Sequence, residues 1–190
     1  CRMRDTPVIV FINKMDRDGK NRFHLLEEIE KELSIQLHPM TCPINSGKEF
    51  KGVYDLDDKS LVLFTANTKA TGEDVLRIDD LSSNLLDEKI GEKDAVTLRD
   101  DVELVDGVHG KLNVADYLEA KVAPVFFGSA VNNFGVREML NTFIRIAPPP
   151  RSRETSKRLV DVEEDKLSGF VFKIHANLDP KHRDRIAFMR

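Results

Sequence analysis

Asn13-Lys14-Met15-Asp16 follows directly on the apolar run Val8-Ile9-Val10-Phe11-Ile12, and its residue types suit the reading of a purine edge. The Asp16 carboxylate can accept two hydrogen bonds side by side, one from a ring N1–H and one from an exocyclic amine. Guanine offers that pair and adenine does not, so Asp16 would select the base. A site built to bond such a pair rejects analogues that lack it, because its own polar atoms are then left without partners. Asn13 would support the loop and reach the imidazole side of the base. The aliphatic stem of Lys14 would lie across the purine face, and Met15 would point inward as packing.

A second element lies more than a hundred positions later, where Ala123-Pro124-Val125-Phe126-Phe127 runs into Gly128-Ser129-Ala130. Small side chains there let backbone N–H groups approach the base O6, with Ser129 and Ala130 as the contact residues, and the Ser129 hydroxyl can brace the loop that holds Asp16. A plain strand-to-helix turn with a solvated lysine and a capping aspartate would account for the first element alone. It does not account for two complementary ones.

The surrounding pattern says what must position them. Five consecutive apolar residues suit a strand buried on both faces, and open α/β sheets bind ligands at the carboxyl ends of such strands. After Asp18-Gly19 a helix carries Phe23, Leu26, Ile29 and Leu33 on one face, with Asn21 or Asp18 as its cap. Residues 36–44 read as an irregular or edge strand broken by Pro39 and Pro43. Two short apolar runs, residues 53–56 and 61–64, flank a turn and predict a hairpin that residues 76–78 extend. Helices are expected over residues 82–90 and 92–105. Because the second element comes only after this material, residues 47–122 are read as an insertion between parts of one domain. Asn113 can cap a helix running to Val122. A last helix from Gly135 shows Val136, Met139, Leu140, Phe143 and Ile144 at helical spacing, and Pro148-Pro149-Pro150 must end it. The charged residues 151–165 read as a linker, and residues 169–176 and 186–189 as two strands of a hairpin whose turn residues are 179–184.

Composition narrows the class. The chain has 190 residues, 41% hydrophobic and 33% charged, the balance of a soluble globular protein long enough to bury a sizeable core. Its apolar runs are far too short to cross a bilayer, so no membrane partner is expected. Cys1 and Cys42 have neither metal-ligand spacing nor the density of a disulfide framework, which points to a reducing cytoplasm. His24, His38, His109, His175 and His182 are scattered and read as surface or turn residues. Gly47-Lys48 looks like a phosphate loop only superficially, lacking the upstream glycine and the following Ser or Thr. The net charge of -4 gives no global attraction to nucleic acid. The densest basic cluster, Lys181, His182, Arg183 and Arg185 with Arg190 beyond, has Phe170, Phe172 and Phe188 near it, and is read either as a solvated hairpin tip or as an RNA-backbone contact. A chain that opens on Cys1 just before a buried strand, and stops within a second strand at Arg190, reads as a piece of a longer protein.

These residues carry a resemblance. Phe11-Ile12-Asn13-Lys14-Met15-Asp16-Arg17, Gly128-Ser129-Ala130 and the large insert between them resemble the translational GTPases related to elongation factor G. Residues 47–54, residues 133–136 and above all residues 169–185, Gly-Phe-Val-Phe-Lys-Ile-His-Ala-Asn-Leu-Asp-Pro-Lys-His-Arg-Asp-Arg, are similar to the peptide chain release factor three branch of that family. The resemblance implies an α/β fold, the C-terminal part of a P-loop GTPase domain with a mostly parallel sheet and flanking helices, an inserted α+β subdomain and the start of a β-barrel domain. The corresponding boundaries are residues 1–46 and 123–147 for the GTPase domain, 47–122 for the insert, 148–166 for a linker and 167–190 for the barrel. It also implies a cytoplasmic GTP hydrolase working on the ribosome with class-one release factors, in which Asn13, Lys14, Met15, Asp16, Ser129 and Ala130 bind GTP or GDP. A translocation factor of the elongation type, or an interaction module without nucleotide chemistry, would be the alternatives. The 190 residues contain no G-x-x-x-x-G-K-[ST] loop and no counterpart of the switch segments. The magnesium ligands are therefore expected outside this chain, and the chain alone is expected to hydrolyse nothing. An unpaired sheet edge would then favour self-association.

Overall fold

The computed structural model describes residues 6–65, 75–176 and 185–189. It divides into two units, Cys1–Ala147 and Pro148–Arg190. In chain order the first holds β1 (Val10–Ile12), α1 (Arg22–Leu33), β2 (Gln36–Pro39), β3 (Thr41–Ile44), β4 (Gly52–Asp55), β5 (Ser60–Leu63), β6 (Val75–Arg77), α2 (Asn84–Ile90), α3 (Glu92–His109), α4 (Val114–Leu118), β7 (Val122–Phe127) and α5 (Val136–Ile146). The second holds β8 (Arg153–Glu154), β9 (Leu159–Val160), β10 (Val171–Ala176) and β11 (Arg185–Met189). This is the α/β class expected, with a parallel sheet and flanking helices.

The parallel sheet has the order β1-β7-β2. Ile12 stands opposite Phe127 and Pro39 opposite Val125, so β1 and β7 end level with each other. Pro124 lies in this central strand without breaking a ladder. Odd residues of β7 face β2, as the Met40 N–H to Val125 O bond of 2.8 Å shows, so the missing donor of Pro124 faces the β1 side, where pairing starts only at Val125. β1 itself is less enclosed than its composition suggests. Of its residues only Ile12 is buried, because among the described strands it has β7 on one side and no second neighbour.

The stretch read as one irregular strand is two strands in two sheets. Met40 is the junction: its N–H bonds β7, and its carbonyl accepts from Leu56 N at 3.0 Å at the end of β4. From Thr41 onward the chain belongs to the antiparallel sheet β3-β4-β5-β6. Both prolines thus sit on strands with a single ladder neighbour, which is where a residue without an N–H is tolerated. This sheet has two apolar faces, set by the period of two along each strand. Val53 and Val62 join Ile12, Leu37, Val125, Phe127 and Phe134 in one core, while Tyr54 and Leu61 join Leu86, Ile90, Ala95 and Leu98 from α2 and α3 in another. Cys42 lies in the second core, where burial pushes its thiol up to about 12, so it stays protonated and inert.

Several local expectations need correction. Asn21 caps α1, its Oδ1 accepting from Phe23 N at 2.9 Å, but Leu25, Leu26 and Ile29 make the core contacts and Leu33, the last residue of the helix, is 51% exposed. α3 continues to His109 and stops at Gly110. α4 is capped by Asn113 yet ends at Leu118, since Ala120 adopts a left-handed φ of 56°. His38 is no surface residue. It is buried and meets His109 edge-on at 5.6 Å, and desolvation, helped by that neighbour, holds it below the ordinary imidazole range. In the second unit, the segment read as a linker forms the β8–β9 pair, its turn closed by the Thr155 hydroxyl donating to Arg158 O at 2.6 Å. β10 and β11 pair antiparallel with an irregularity between Val171 and Lys173. The expected turn residues 179–184 lie outside the described residues.

Asp55 gives this architecture a pH dependence. Its Oδ1 accepts from Asp57 N at 3.0 Å and Asp58 N at 2.9 Å, which fixes the β4–β5 turn. Burial, only partly offset by those N–H groups, pushes its carboxyl up to about 6. A folded-state value above the unfolded one means that its contribution is complete below pH ~4 and is lost as pH rises through 6. Asp55→Asn keeps the acceptor and cannot ionise. Urea midpoints should therefore show the variant gaining on the parent by about 2–3 kcal/mol between pH 4 and pH 7; a constant gap would refute the assignment.

Candidate functional site

The level ends of β1 and β7 deliver two loops to one place. Gly128 N donates to Ile12 O at 3.0 Å, and Met15 N donates to Gly128 O at 3.0 Å, which continues the ladder past the strands. Asn13 then ties the loops together: its Oδ1 accepts from Lys14 N and from Ala130 N, each at 2.8 Å. Lys14 stands at a φ of 68°, a conformation that costs a non-glycine residue energy and that Asn13's bond to its N–H helps hold. Its side chain is exposed, while Met15 is buried in the core beneath.

Glycines let the backbones close. A Cβ on Gly128 would run into Phe134 O and would lie 2.8 Å from the Phe11 ring. Gly47, at a φ of 66°, donates to Met15 O at 2.8 Å, and a Cβ there would strike the Asp18 carboxylate. Gly47 therefore buttresses the tetrad loop from the β3–β4 connection.

The β7 loop is a closed ring. Ser129 and Phe134 exchange N–H to O bonds of 3.0 Å, enclosing a 3-10 turn at Ala130–Asn132, with Asn133 left-handed at a φ of 55°. Phe134 anchors the ring among Phe50 and Phe64 at centroid distances of 5.6 and 5.2 Å. Ser129 is fully buried, and its Oγ accepts from Asn132 Nδ2 at 2.9 Å. The same amide reaches Asp16 Oδ2 at 3.4 Å. The brace expected from Ser129 to the Asp16 loop thus runs through Asn132, which sequence reasoning did not single out; only the Asn132-Asn133 pair, two residues suited to a tight turn, hinted at it.

Asn13, Met15, Asp16, Ser129 and Ala130 are therefore neighbours in space, with Lys14 on the adjoining surface. Lys181, His182 and Arg183 lie outside the described residues, and Arg185 is the exposed first residue of β11.

One atom tests whether a guanine base suits this arrangement. Asp16 Oδ1 is buried and has no hydrogen-bond partner in the structure. A buried carboxylate oxygen without a partner is costly, and it leaves Asp16 with acceptor capacity that no described protein group uses. That unused acceptor is of the kind a guanine N–H takes. Among the described residues there is no group of three or more His, Cys, Asp or Glu side chains placed to hold a metal ion, and no helix long and apolar enough to cross a membrane.

A family model for the elongation factor Tu GTP binding domain matches residues 1–149 of the 190. The chain belongs to this family, the translational GTPases. Members bind guanine nucleotides with Mg2+, hydrolyse GTP and act on the ribosome.

The crowding at Gly128 makes the loop pairing testable. Gly128→Ala should force Phe134 and the β1 loop apart and lower stability by about 1–3 kcal/mol, read as a drop in the urea midpoint. An unchanged midpoint would show that the two loops are not in van der Waals contact.

Proposed function

We propose that this chain carries the guanine-reading half of a ribosome-dependent GTPase that recycles class-one release factors after termination. The observation that supports it is the pairing of a buried, unpartnered Asp16 oxygen with the small-residue loop at Ser129-Ala130. In this reading Asp16 accepts from the guanine N1–H and exocyclic amine, and the Lys14 stem covers the ring. Asn13 holds the two loops in register, Ser129 and Ala130 line the O6 side, and Met15 anchors the tetrad. Residues 47–122 are the inserted subdomain, residues 148–166 connect, and residues 167–190 open a β-barrel domain. The release-factor assignment rests on the similarity of residues 47–54, 133–136 and 169–185; a translocation factor is the competing member of the same family. Because the sequence contains no phosphate-binding loop, this chain by itself binds GDP weakly through the base and does not turn GTP over.

Base selection is checked by Asp16→Asn, which exchanges an acceptor for a donor. GDP affinity should fall at least about tenfold, one charge-assisted hydrogen bond, while xanthosine diphosphate gains. Unchanged purine preference in calorimetric titrations would remove Asp16 from the role.

Lys181, His182, Arg183 and Arg185 are proposed to contact ribosomal RNA phosphates. Arg183→Glu should weaken ribosome binding and reduce the slope of affinity against salt by about one to two counterions. A salt dependence identical to that of the parent would assign the cluster to solvent.

A further inference from the structure

We infer that Asn132 is a positioning residue that fixes the plane of the Asp16 carboxylate and so sets discrimination for the exocyclic amine of the base. The inference rests on the reading of Asp16 as the guanine acceptor and goes beyond it in naming what holds that acceptor. Asn132 Nδ2 has two hydrogens. One goes to the fully buried Ser129 Oγ at 2.9 Å, the other to Asp16 Oδ2 at 3.4 Å. Asn132 N also donates to Ser129 O at 3.1 Å, so the backbone of this residue is tied to the same serine as its side chain. The amide is thereby held between a buried hydroxyl and the carboxylate, while Asp16 Oδ1 stays without a partner. One oxygen is anchored by Asn132 and the other has no partner among the described protein groups.

The consequence for specificity is geometric. A carboxylate free to rotate can follow a single N–H donor, but two parallel donors on a rigid ring require both oxygens in one fixed plane. An oxygen that accepts one bond from Asn132 still has a second acceptor site, so anchoring does not consume the capacity needed for the base. Loss of the anchor should therefore cost the second bond, the one to the exocyclic amine, more than the first.

Inosine diphosphate separates the two, since it keeps N1–H and O6 and lacks the amine. In calorimetric titrations of the full chain, Asn132→Ala should lower GDP affinity about tenfold and inosine diphosphate affinity no more than about twofold, the pattern for one lost charge-assisted bond. Asn132→Asp has nearly the same size, cannot donate and sets a like charge beside Asp16 Oδ2, so it should lose more GDP affinity than Asn132→Ala. Equal losses for the two nucleotides, or an Asn132→Asp variant that binds GDP like the parent, would overturn the inference and leave Asn132 a shaper of the loop. The Asp16→Asn titration keeps the two readings apart. If it shifts purine preference while the Asn132 variants leave the GDP to inosine diphosphate ratio unchanged, only the positioning role falls; if it shifts nothing, the base assignment falls with it.

Discussion

The parallel pairing of β1 with β7 is the constraint on which the site depends. Strands far apart in sequence are locked level by the Ile12 to Phe127 register, and the ladder runs on through Gly128 N to Ile12 O and Met15 N to Gly128 O. A slip of one residue would turn each side chain of a strand to the opposite face and carry Asp16 away from the Ser129 loop. The register is specified because β7 is buried from Ala123 to Phe127. Its apolar faces can satisfy the adjoining cores in only one alignment. Packing that looks purely structural thus decides where a carboxylate stands.

The second sheet serves the same end. Its alternation sends Val53 and Val62 into the core with Met15 and Phe134 and Tyr54 and Leu61 into the core with residues of α2 and α3, so one set of strands supports two cores. Met40 makes the connection directly, bonded on one side to β7 and on the other to Leu56. Through Gly47 the β3–β4 connection also touches the tetrad loop itself. Material that lies between the two motifs in sequence is therefore mechanically part of their support.

Much of this was legible in the residues, and the limits are physical. Capping asparagines, apolar runs and the proline triplet act locally, and Asn21, Asn113 and Pro148 mark their boundaries in the structure as they do in the sequence. The convergence of the two motifs was legible because both end apolar runs in residues with special backbone or hydrogen-bonding needs. What stayed hidden depends on partners remote in sequence. Nothing around Met40 announces that one strand will serve two sheets, and the choice of Leu25 over Leu33 for the core face of α1 depends on where the sheet lies. Asn132 was hidden for a further reason. An asparagine in a turn is ordinary, and its amide gains a role only when Asp16 arrives from another strand.

The unpartnered Asp16 oxygen ties these levels together energetically. Holding it buried costs free energy in the absence of a ligand, and that cost is sustained by packing the site did not generate, from Phe134 among Phe50 and Phe64 to Gly128 beneath its loop. On the proposed reading, a base that supplied a donor to Asp16 would offset that cost. On that reading, by linkage, whatever loosens the loop pairing would weaken base binding, and a bound base would in turn stabilise the β1–β7 register. Affinity at such a site would then be a property of the sheet as much as of the residues proposed to touch the base.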